Sequence, residues 1–234
     1  MNPANKKAIV FGGTSGIGLA TVNKLASMGA SVIAVSRNPV KAGNLPTGVT
    51  HKQCDVTDRQ ALAGLFEDCA PFDILVSSAT GGTRTLGPLT TMDMDGYQAS
   101  FDKLWGYANV VRFGTQHLSE NGTIVLVSGA PARRAKPGQV SLSSVGAAVE
   151  AMVKSVASEI TPRRINVVSP GIIDTPMYPA EGQSRQGFFT TGTASHLIPR
   201  AGTAEEVAQG ILFVIENDFV TGTTVDVDGG WLLS

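Results

Sequence analysis

Short apolar runs alternate along the chain with longer amphipathic stretches. Seven runs of four to six residues are rich in valine, isoleucine and other strand-forming residues: Ala8–Phe11, Ser31–Ser36, Val49–Gln53, Ile74–Ser77, Ile124–Ser128, Ile165–Ser169 and Thr224–Val227. Most are separated by enough residues for a helix, and a helical pattern, Leu19–Ala26, follows the first run. Strands that alternate with helices are typical of parallel sheets covered on both faces. The pattern therefore predicts a doubly wound α/β chain with a seven-stranded parallel sheet.

Nothing along the chain marks a domain boundary. Its 234 residues are 42% hydrophobic and contain no low-complexity linker, charge block or short repeat, so we predict a single domain over residues 1–234. The least regular stretch, Thr175–Pro199, contains helix- and strand-breaking residues that include Pro176, Pro179, Gly182, Gly187 and Gly192. Ligands of such sheets bind beyond the carboxyl ends of the strands. We therefore predict a mobile substrate lid at about 175–199, with a plain surface loop as the alternative.

Three spaced glycines interrupt the first apolar run. The segment Gly12-Gly13-Thr14-Ser15-Gly16-Ile17-Gly18 separates the first predicted strand from an amphipathic helix. Glycine lets a backbone turn sharply and approach a ligand, while free N–H groups and the dipole at a helix N-terminus attract anions. The turn predicts binding of a dinucleotide pyrophosphate and the first crossover of a Rossmann fold. An ordinary strand-to-helix turn is the alternative.

The charge balance argues against several classes of partner. Lysine and arginine number 18 against 19 acidic residues, and a net charge of −1 offers no general attraction to nucleic acid or an anionic membrane. No apolar run reaches the roughly 18 residues of a membrane span, and no signal-peptide segment precedes the first strand. We predict a cytoplasmic protein with a small-molecule ligand. Cys54 and Cys69 suit buried positions, and the scattered His51, His117 and His196 predict no metal site.

Five motifs in order resemble the short-chain dehydrogenase/reductase family, from Ala8 to about Gly230. They are the glycine-rich turn, with Phe11 where threonine is usual; Cys54-Asp55-Val56; Ser77-Ser78-Ala79-Thr80 in place of Asn-Asn-Ala-Gly; Asn166–Pro176; and the tail, Val220–Gly222 with Val225–Gly230. The resemblance implies that Asp55 meets the adenine amino group and that Thr175 holds the nicotinamide carboxamide. The cofactor-binding residues it implies, with those of the turn, are Gly12, Thr14, Ser15, Gly16, Ile17, Gly18, Ser36, Arg37, Asp55, Val56, Ser78, Ala79, Thr80, Pro170, Gly171, Ile173 and Thr175.

The end of the second predicted strand indicates which cofactor is bound. An acidic side chain there would accept both ribose hydroxyls of NAD, but the chain has Ser36 followed by Arg37. A guanidinium forms forked, charge-assisted hydrogen bonds to a 2′-phosphate. The sequence therefore predicts NADP, with a solvated surface arginine as the alternative role for Arg37.

The same resemblance places the family's catalytic residues, and none of the four is present. Gly129 stands at the position of the serine, Leu142 at that of the tyrosine and Gly146 at that of the lysine. Lys103 takes the place of the asparagine. We predict that Lys103 refills the vacant cationic site and is catalytic, binding the nicotinamide ribose or polarising a substrate oxygen. A helix lysine that points to solvent is the alternative.

Two functions are compatible with these residues. The first is an NADPH-dependent oxidoreductase with a non-standard active site, whose substrate is bulky or apolar because Gly129, Leu142 and Gly146 leave apolar volume. The second is a catalytically inactive NADPH-binding sensor or scaffold. Arg133, Arg134 and Lys136, with Tyr178 and His196 of the lid, could clamp an anionic substrate. A solvated basic loop is the favoured interpretation of the first three, and a structural role is an equal alternative for His196. The resemblance further implies a homodimer or homotetramer formed through Ala147–Ser158 and Thr224–Trp231.

Overall fold

Seven parallel strands form the central sheet. The computed structural model describes residues 1–38, 45–80 and 84–234. The strands of this sheet are β1 (Lys7–Phe11), β2 (Ser31–Ser36), β3 (Thr50–Gln53), β4 (Phe72–Ser77), β5 (Leu118–Val127), β6 (Arg164–Pro170) and β9 (Thr224–Val227). They lie in the order β3-β2-β1-β4-β5-β6-β9, and every neighbouring pair is parallel. The predicted doubly wound α/β fold is confirmed.

Helices cover both faces of the sheet. They are α1 (Gly16–Ser27), α2 (Arg59–Cys69), α3 (Met94–Ser100), α4 (Asp102–Gly114), α5 (Val140–Glu159), α6 (Gly182–Thr193) and α7 (Ala204–Glu216). One apolar cluster joins the sheet to α2, α4 and α5, and a second joins it to α1 and α7. Side chains at the helix N-termini satisfy free N–H groups: Asp58 caps α2, and Thr203 caps α7 with Glu206.

The strand side chains explain why the two clusters form. Successive side chains of a strand point to opposite faces. In β1, Ile9 and Phe11 enter the cluster under α2, α4 and α5, whereas Ala8 and Val10 enter the cluster under α1 and α7. Both faces of the central strands are therefore apolar, which is why the sequence shows continuous apolar runs and not an alternation of polar and apolar residues.

One strand is longer than the sequence predicts. β5 begins at Leu118, whereas the apolar run begins at Ile124. Leu118 pairs with Phe72, and the register then shifts before Thr123 pairs with Ile74. The polar residues between Leu118 and Thr123 occupy this irregularity, so hydrophobic patterning alone does not indicate that they belong to the strand.

The segment predicted as an irregular lid contains a regular helix. Residues 182–193 form α6, so the prediction of irregular structure is wrong for that part. Only Phe189 and Thr193 are buried in α6, and the helix therefore lacks the apolar periodicity that identifies a helix in sequence. A short parallel pair, β7 (Ile173–Asp174) with β8 (Gly202–Thr203), joins the two ends of the segment.

Helix α5 has two different sides. Its 20 residues and mean hydropathy of 1.3 would suit a membrane span by length and composition alone, so the expectation that no segment reaches those values is wrong. Val149 and Val153 pack in the core, whereas Ala147 and Ala151 are exposed. About a third of the helix is buried within the chain. α5 is thus a core helix with an outer side that its own chain leaves largely uncovered.

Candidate active site

A cavity of about 820 Å³ opens at the carboxyl ends of the central strands. It spans the crevice between β1 and β4, where the strand order reverses and where ligands of doubly wound sheets bind. All but one of the predicted cofactor residues line it: Gly12, Thr14, Ser15, Gly16, Ile17, Gly18, Ser36, Arg37, Val56, Ser78, Ala79, Thr80, Pro170, Gly171, Ile173 and Thr175. Lys103, Gly129, Leu142 and Gly146 line the same cavity. The fold thus brings the predicted nucleotide motifs and the four positions compared with the family's catalytic residues into one space.

The glycine turn is packed too closely for side chains. A Cβ at Gly18 would lie 2.6 Å from both the carbonyl carbon of Gly12 and the hydroxyl of Ser78. Gly12 has a φ of +74°, and a Cβ there would lie 2.8 Å from Ser78 Oγ. No side chain caps the N-terminus of α1, and its first turn holds no acidic residue. The helix therefore begins with backbone N–H groups directed at the cavity, where an anionic group would be stabilised.

Replacement of Gly18 by alanine is expected to lower the free energy of unfolding by about 1–3 kcal/mol, because the added methyl overlaps backbone in a packed turn. Gly64→Ala is the matched control. Gly64 lies in α2, and a Cβ there meets nothing within 4 Å, so its replacement should instead stabilise the chain by about 0.5–1 kcal/mol. Urea denaturation of both variants measures the difference. Equal effects of the two substitutions would contradict the close packing of the turn.

Ser78 fixes the end of β4 to the turn. Its backbone N–H and its hydroxyl both donate to the carbonyl oxygen of Phe11, at 3.0 and 3.1 Å. These bonds hold the carboxyl ends of β1 and β4 together at the point where the cavity opens. The serine that replaces the usual asparagine of the motif thus supports the strand ends from within this chain.

The far end of the cavity is positive and has an unsatisfied hydroxyl. Arg37 is exposed and forms no ion pair with a described residue, while its backbone carbonyl accepts from Gln53 Nε2 at 3.0 Å. Ser36 Oγ is buried and has no hydrogen-bond partner among the described residues. Asp55 is the predicted residue that does not line the cavity, and its Oδ1 accepts from the backbone and hydroxyl of Thr57 at 2.9 and 2.8 Å. A serine hydroxyl and a guanidinium therefore line this end, together with Asn38.

The predicted nicotinamide segment adjoins the glycine turn. A Cβ at Gly16 would lie 3.4 Å from Thr175 Cβ, and Thr175 is buried. A Cβ at Gly171 would lie 2.8 Å from the backbone of Asp228, so glycine is needed where β6 leaves the sheet beside the C-terminal segment. This packing holds Pro170–Thr175 between the glycine turn and the C-terminal segment, where the segment lines the cavity.

Lys103 points into the cavity. It lies in the first turn of α4, and its Nζ donates to the backbone carbonyl of Ser128 at 3.3 Å. The same ammonium lies 5.5 Å from the ring centroid of Tyr107. Burial, and to a smaller extent the positive charge of Arg84, together lower the pKa of Lys103 to about 8. The structure therefore places this ammonium inside the site and not in solvent, with a proton that is held less tightly than in an ordinary lysine.

The altered catalytic positions differ in the space around them. A Cβ at Gly129 would make ordinary contacts, 3.6 Å from Pro131 Cδ and 3.9 Å from the carbonyl of Pro170. At Gly146 a Cβ would lie only 2.9 Å from the methyl of Ala132, and Ser128 Oγ donates to the Gly146 carbonyl at 3.2 Å. Gly146 thus allows α5 to approach the short 3₁₀ turn at Ala130–Ala132 closely.

The basic loop after β5 is occupied by internal contacts. Arg133 forms a two-bond ion pair with Asp226 and a further ion pair with Glu150, so its guanidinium is held by carboxylates of the chain itself. Arg134 Nη1 donates to the carbonyl of Trp231 at 2.8 Å, and Lys136 Nζ lies 5.3 Å from the centroid of the Trp231 ring. These three side chains hold the C-terminal segment against the body of the domain.

The two remaining members of that predicted clamp are separated. Tyr178 lines the cavity and packs on Phe188, with ring centroids 4.8 Å apart. Burial raises the pKa of Tyr178. His196 is buried and stacks on Trp231, and burial lowers its pKa, so it belongs to the support of the C-terminal segment. Of these two residues, Tyr178 lines the cavity and His196 does not.

Sequence reasoning missed several residues that shape the site. Arg84, Met177, Phe188 and Trp231 line the cavity, and Arg185 binds the backbone around it. Arg84 follows β4 closely, and a cation near the carboxyl end of a strand is a signal that could have identified it. Met177, Phe188 and Trp231 carry no such signal, because their position depends on how the lid and the C-terminal segment fold over the sheet.

Comparison with known proteins gives consistent matches over the whole chain. The family model described as enoyl-(acyl carrier protein) reductase matches residues 12–232. The 3-oxoacyl-[acyl-carrier-protein] reductase FabG of Thermotoga maritima is 34% identical, and the match covers 100% of both chains. A small-chain dehydrogenase solved in complex with NADPH has a TM-score of 0.87 at 30% identity, covering 98% of this chain and 100% of that one. A protein solved as a short chain dehydrogenase/reductase family member has a TM-score of 0.88 at 30% identity, with 100% of both chains covered.

Proposed function

The chain belongs to the short-chain dehydrogenase/reductase family, and we propose that it is an NADPH-dependent oxidoreductase that works without that family's tyrosine and lysine. One observation carries the proposal. A single cavity joins the glycine turn, Arg37, the segment Pro170–Thr175 and the ammonium of Lys103. A protein that only sensed the adenine end of a nucleotide would need the first two of these features and not the last two.

The residues present fit NADPH. The uncapped N-terminus of α1 suits the pyrophosphate, and Arg37 beside the unsatisfied hydroxyl of Ser36 suits a 2′-phosphate. We assign the carboxamide of the nicotinamide to the hydroxyl of Thr175, because Thr175 lines the cavity beside Gly16 of the turn. The cofactor supplies a hydride, and the remaining task of the protein is to orient the acceptor and to provide a proton.

The proton cannot come from the position where the family has its tyrosine. Leu142 has no donor, and a positioned general acid typically contributes about 10²–10⁴-fold, or ~3–5 kcal/mol of barrier. Binding a hydride donor and an acceptor side by side can still contribute roughly 7–11 kcal/mol. Hydride transfer is therefore retained if another group supplies the acid or if the substrate needs none.

Lys103 is the group that we assign to this acid role. Its ammonium faces the cavity and has two further N–H bonds beyond the one to Ser128. Because the pKa of Lys103 is lowered to about 8, the ammonium is protonated at neutral pH and yet gives up its proton more readily than a solvated lysine. It can polarise or protonate a substrate oxygen, and it can also donate to a ribose hydroxyl of the cofactor.

The opposite wall favours an apolar substrate. Leu142, Met177, Phe188 and Trp231 line the cavity. Gly129 and Gly146 add no side chain to it, so the pocket is wider there than a serine and a lysine would leave it. We assign to the site a bulky acceptor such as an activated C=C bond, an iminium or a carbonyl whose oxygen reaches Lys103.

Stopped-flow oxidation of bound NADPH tests the proposal. Single-turnover traces with a ketone series, a cyclic imine series and an enone series would identify the reducible bond. We expect at least one series to oxidise the cofactor. Tight binding of NADPH with no oxidation by any series would overturn the enzyme function and favour a nucleotide sensor.

We also propose that residues 175–199 act as the lid predicted from sequence, and that Arg185 of α6 holds it closed. Arg185 pairs with Asp174 through Nε at 3.1 Å and donates through Nη2 to the carbonyl of Thr175 at 2.9 Å. It also donates to the carbonyls of Tyr178 and Ala180. One guanidinium therefore joins α6 to the stretch that carries both the nicotinamide contact and the cavity-lining tyrosine.

Arg185→Leu is expected to raise the dissociation constant for NADPH about 10-fold, because charge-assisted bonds to the lid backbone are worth roughly 1.5–3 kcal/mol. Fluorescence titration measures the affinity, and limited proteolysis measures how often the lid opens. The control is Arg200→Leu, which removes an exposed ion pair with Glu206 beyond the lid. An unchanged NADPH affinity and an unchanged rate of lid cleavage in Arg185→Leu would contradict the role.

Association of identical chains is the remaining part of the proposal. The exposed side of α5 includes Ala147 and Ala151, and Phe219 and Leu233 are exposed near β9. Ala147 and Ala151 belong to the segment Ala147–Ser158, whereas Phe219 and Leu233 flank the segment Thr224–Trp231; from these two segments we predict a homodimer or homotetramer. Sedimentation equilibrium distinguishes the monomer from the two assemblies.

A further inference from the structure

The charged side chains that line the cavity in the described part of the chain are all cationic. Among its described lining residues there are three with a cationic side chain, Arg37, Arg84 and Lys103, and none with a carboxylate. Arg37 lies at the end of β2, where the 2′-phosphate of NADPH would bind. Arg84 and Lys103 belong to the opposite part, beside the ends of β4 and β5. A cofactor alone therefore does not account for the charge at the substrate end.

The ammonium of Lys103 has no anionic partner in its surroundings. Its hydrogen bond goes to a neutral carbonyl, and no carboxylate of the described chain lies within 4.0 Å of it or of the Arg84 guanidinium. Burying a charge is costly unless it is paired and hydrogen-bonded. The ribose hydroxyls and the reduced nicotinamide are both neutral. A negatively charged substrate in the same cavity would supply the negative charge that the described lining lacks.

Arg84 faces the two groups that a substrate would meet. Its positive charge lowers the pKa of Lys103, in the same direction as burial. It also lowers the pKa of Tyr178 of the lid, where it opposes the effect of burial. Arg84 lines the cavity and is exposed, so pairing its guanidinium with a ligand costs less desolvation than pairing a buried one would. The three side chains thus surround one space, with apolar Leu142 and Phe188 also lining it.

We infer that the substrate is an oxo acid whose carboxylate binds the guanidinium of Arg84, so that its carbonyl oxygen meets Lys103 Nζ and its apolar body lies against Leu142 and Phe188. This inference rests on the proposed reductase function. A guanidinium forms a forked pair with a planar carboxylate, whereas an ammonium is a point donor suited to a single oxygen. The two cations therefore have different tasks, and one anionic charge compensates both.

The chemical step balances with these groups. Hydride from the cofactor adds to the carbonyl carbon, the C=O π bond breaks, and its electron pair becomes the new alkoxide lone pair. The alkoxide takes a proton from Lys103 Nζ, leaving a neutral amine and a hydroxy acid. The carbonyl is reduced and the cofactor is oxidised. The oxidised nicotinamide carries a positive charge, so a carboxylate is bound more tightly by the NADP⁺ complex than by the NADPH complex.

The test compares phenylpyruvate with its methyl ester, which differ mainly in charge. We expect kcat/KM for the acid to exceed that for the ester by about 10- to 100-fold in the native protein. In Arg84→Gln that ratio should fall towards one, and in Arg84→Lys it should be intermediate, because the charge is kept and the fork is lost. Arg112→Gln, on the exposed side of α4, is the control and should keep the native ratio.

Three results overturn the inference: a native ratio near one, an unchanged ratio in Arg84→Gln, or tighter binding of benzylphosphonate than of phenylacetate to the NADP⁺ complex. Failure of the reductase function has a different signature. Neither acid nor ester would then oxidise NADPH, while calorimetric binding of phenylacetate to the NADP⁺ complexes of native protein and Arg84→Gln still measures the carboxylate site. Loss of that binding in the variant supports the inference, and equal binding overturns it.

Discussion

Replacing Lys103 by methionine is expected to lower kcat for NADPH-dependent reduction by about 10²–10⁴-fold, the range typical of a lost general acid. Methionine has a similar length and leaves the cavity wall intact. The melting temperature should stay the same or rise, because the substitution removes a buried ammonium whose hydrogen bond goes only to a neutral carbonyl. Single-turnover oxidation of NADPH and differential scanning calorimetry measure the two quantities.

The pH profile separates this role from a structural one. An ammonium with a pKa of about 8 is protonated below that pH and becomes a neutral amine above it. Native turnover should therefore fall as the pH rises through about 8, and the Lys103→Met variant should lack that limb. Lys154→Met, at an exposed position of α5, is the control and should keep both the rate and the profile. A native rate in Lys103→Met would remove this lysine from the mechanism.

Arg37→Asp is expected to weaken NADPH binding by roughly 10- to 100-fold while affecting NADH far less, since charge-assisted bonds to a phosphate are worth roughly 1.5–3 kcal/mol. The new carboxylate would also repel the 2′-phosphate and accept from the ribose hydroxyls of NADH. Parallel fluorescence titrations of both cofactors give the change in preference. Equal losses for the two cofactors would show that Arg37 does not bind the phosphate.

Arg112→Asp provides the matched control for that substitution. It makes the same change of charge on an exposed face of α4, where Arg112 packs beside the ring of Phe113 at 5.8 Å. Because the net charge falls equally in both variants, any effect of overall electrostatics appears in both. Only the difference between them reports on the contact at the end of β2.

The sequence predicted those parts of the fold that local chemistry determines. The seven strands are evident because both faces of a doubly wound sheet are buried, so that each strand is a continuous apolar run. The glycine turn is evident because no other residue tolerates the packing at Gly18 and the φ of Gly12. Helix α6 was not predicted, because most of its side chains are exposed and its order comes from the contacts of Arg185 with the preceding backbone.

The candidate site was predictable to a different extent at its two ends. The nucleotide end follows from consecutive residues at strand ends, and their positions around the cavity agree with that expectation except at Asp55. The substrate end depends on residues that tertiary structure alone brings together, such as Arg84 and Tyr178. The role of Arg133 was equally hidden from the sequence, because its partner Asp226 is far away in sequence and close in space.

The contact between Gly146 and Ala132 has a consequence for how such a chain could change over time. Gly129 has room for a serine, but any side chain at Gly146 must first displace the methyl 2.9 Å away. Overpacking of this kind commonly costs about 1–3 kcal/mol. A lysine introduced at Gly146 would therefore destabilise the chain unless the turn at Ala130–Ala132 also changed. Acquiring a side chain on this part of α5 thus requires two coordinated substitutions, and a single mutation would be selected against on stability alone.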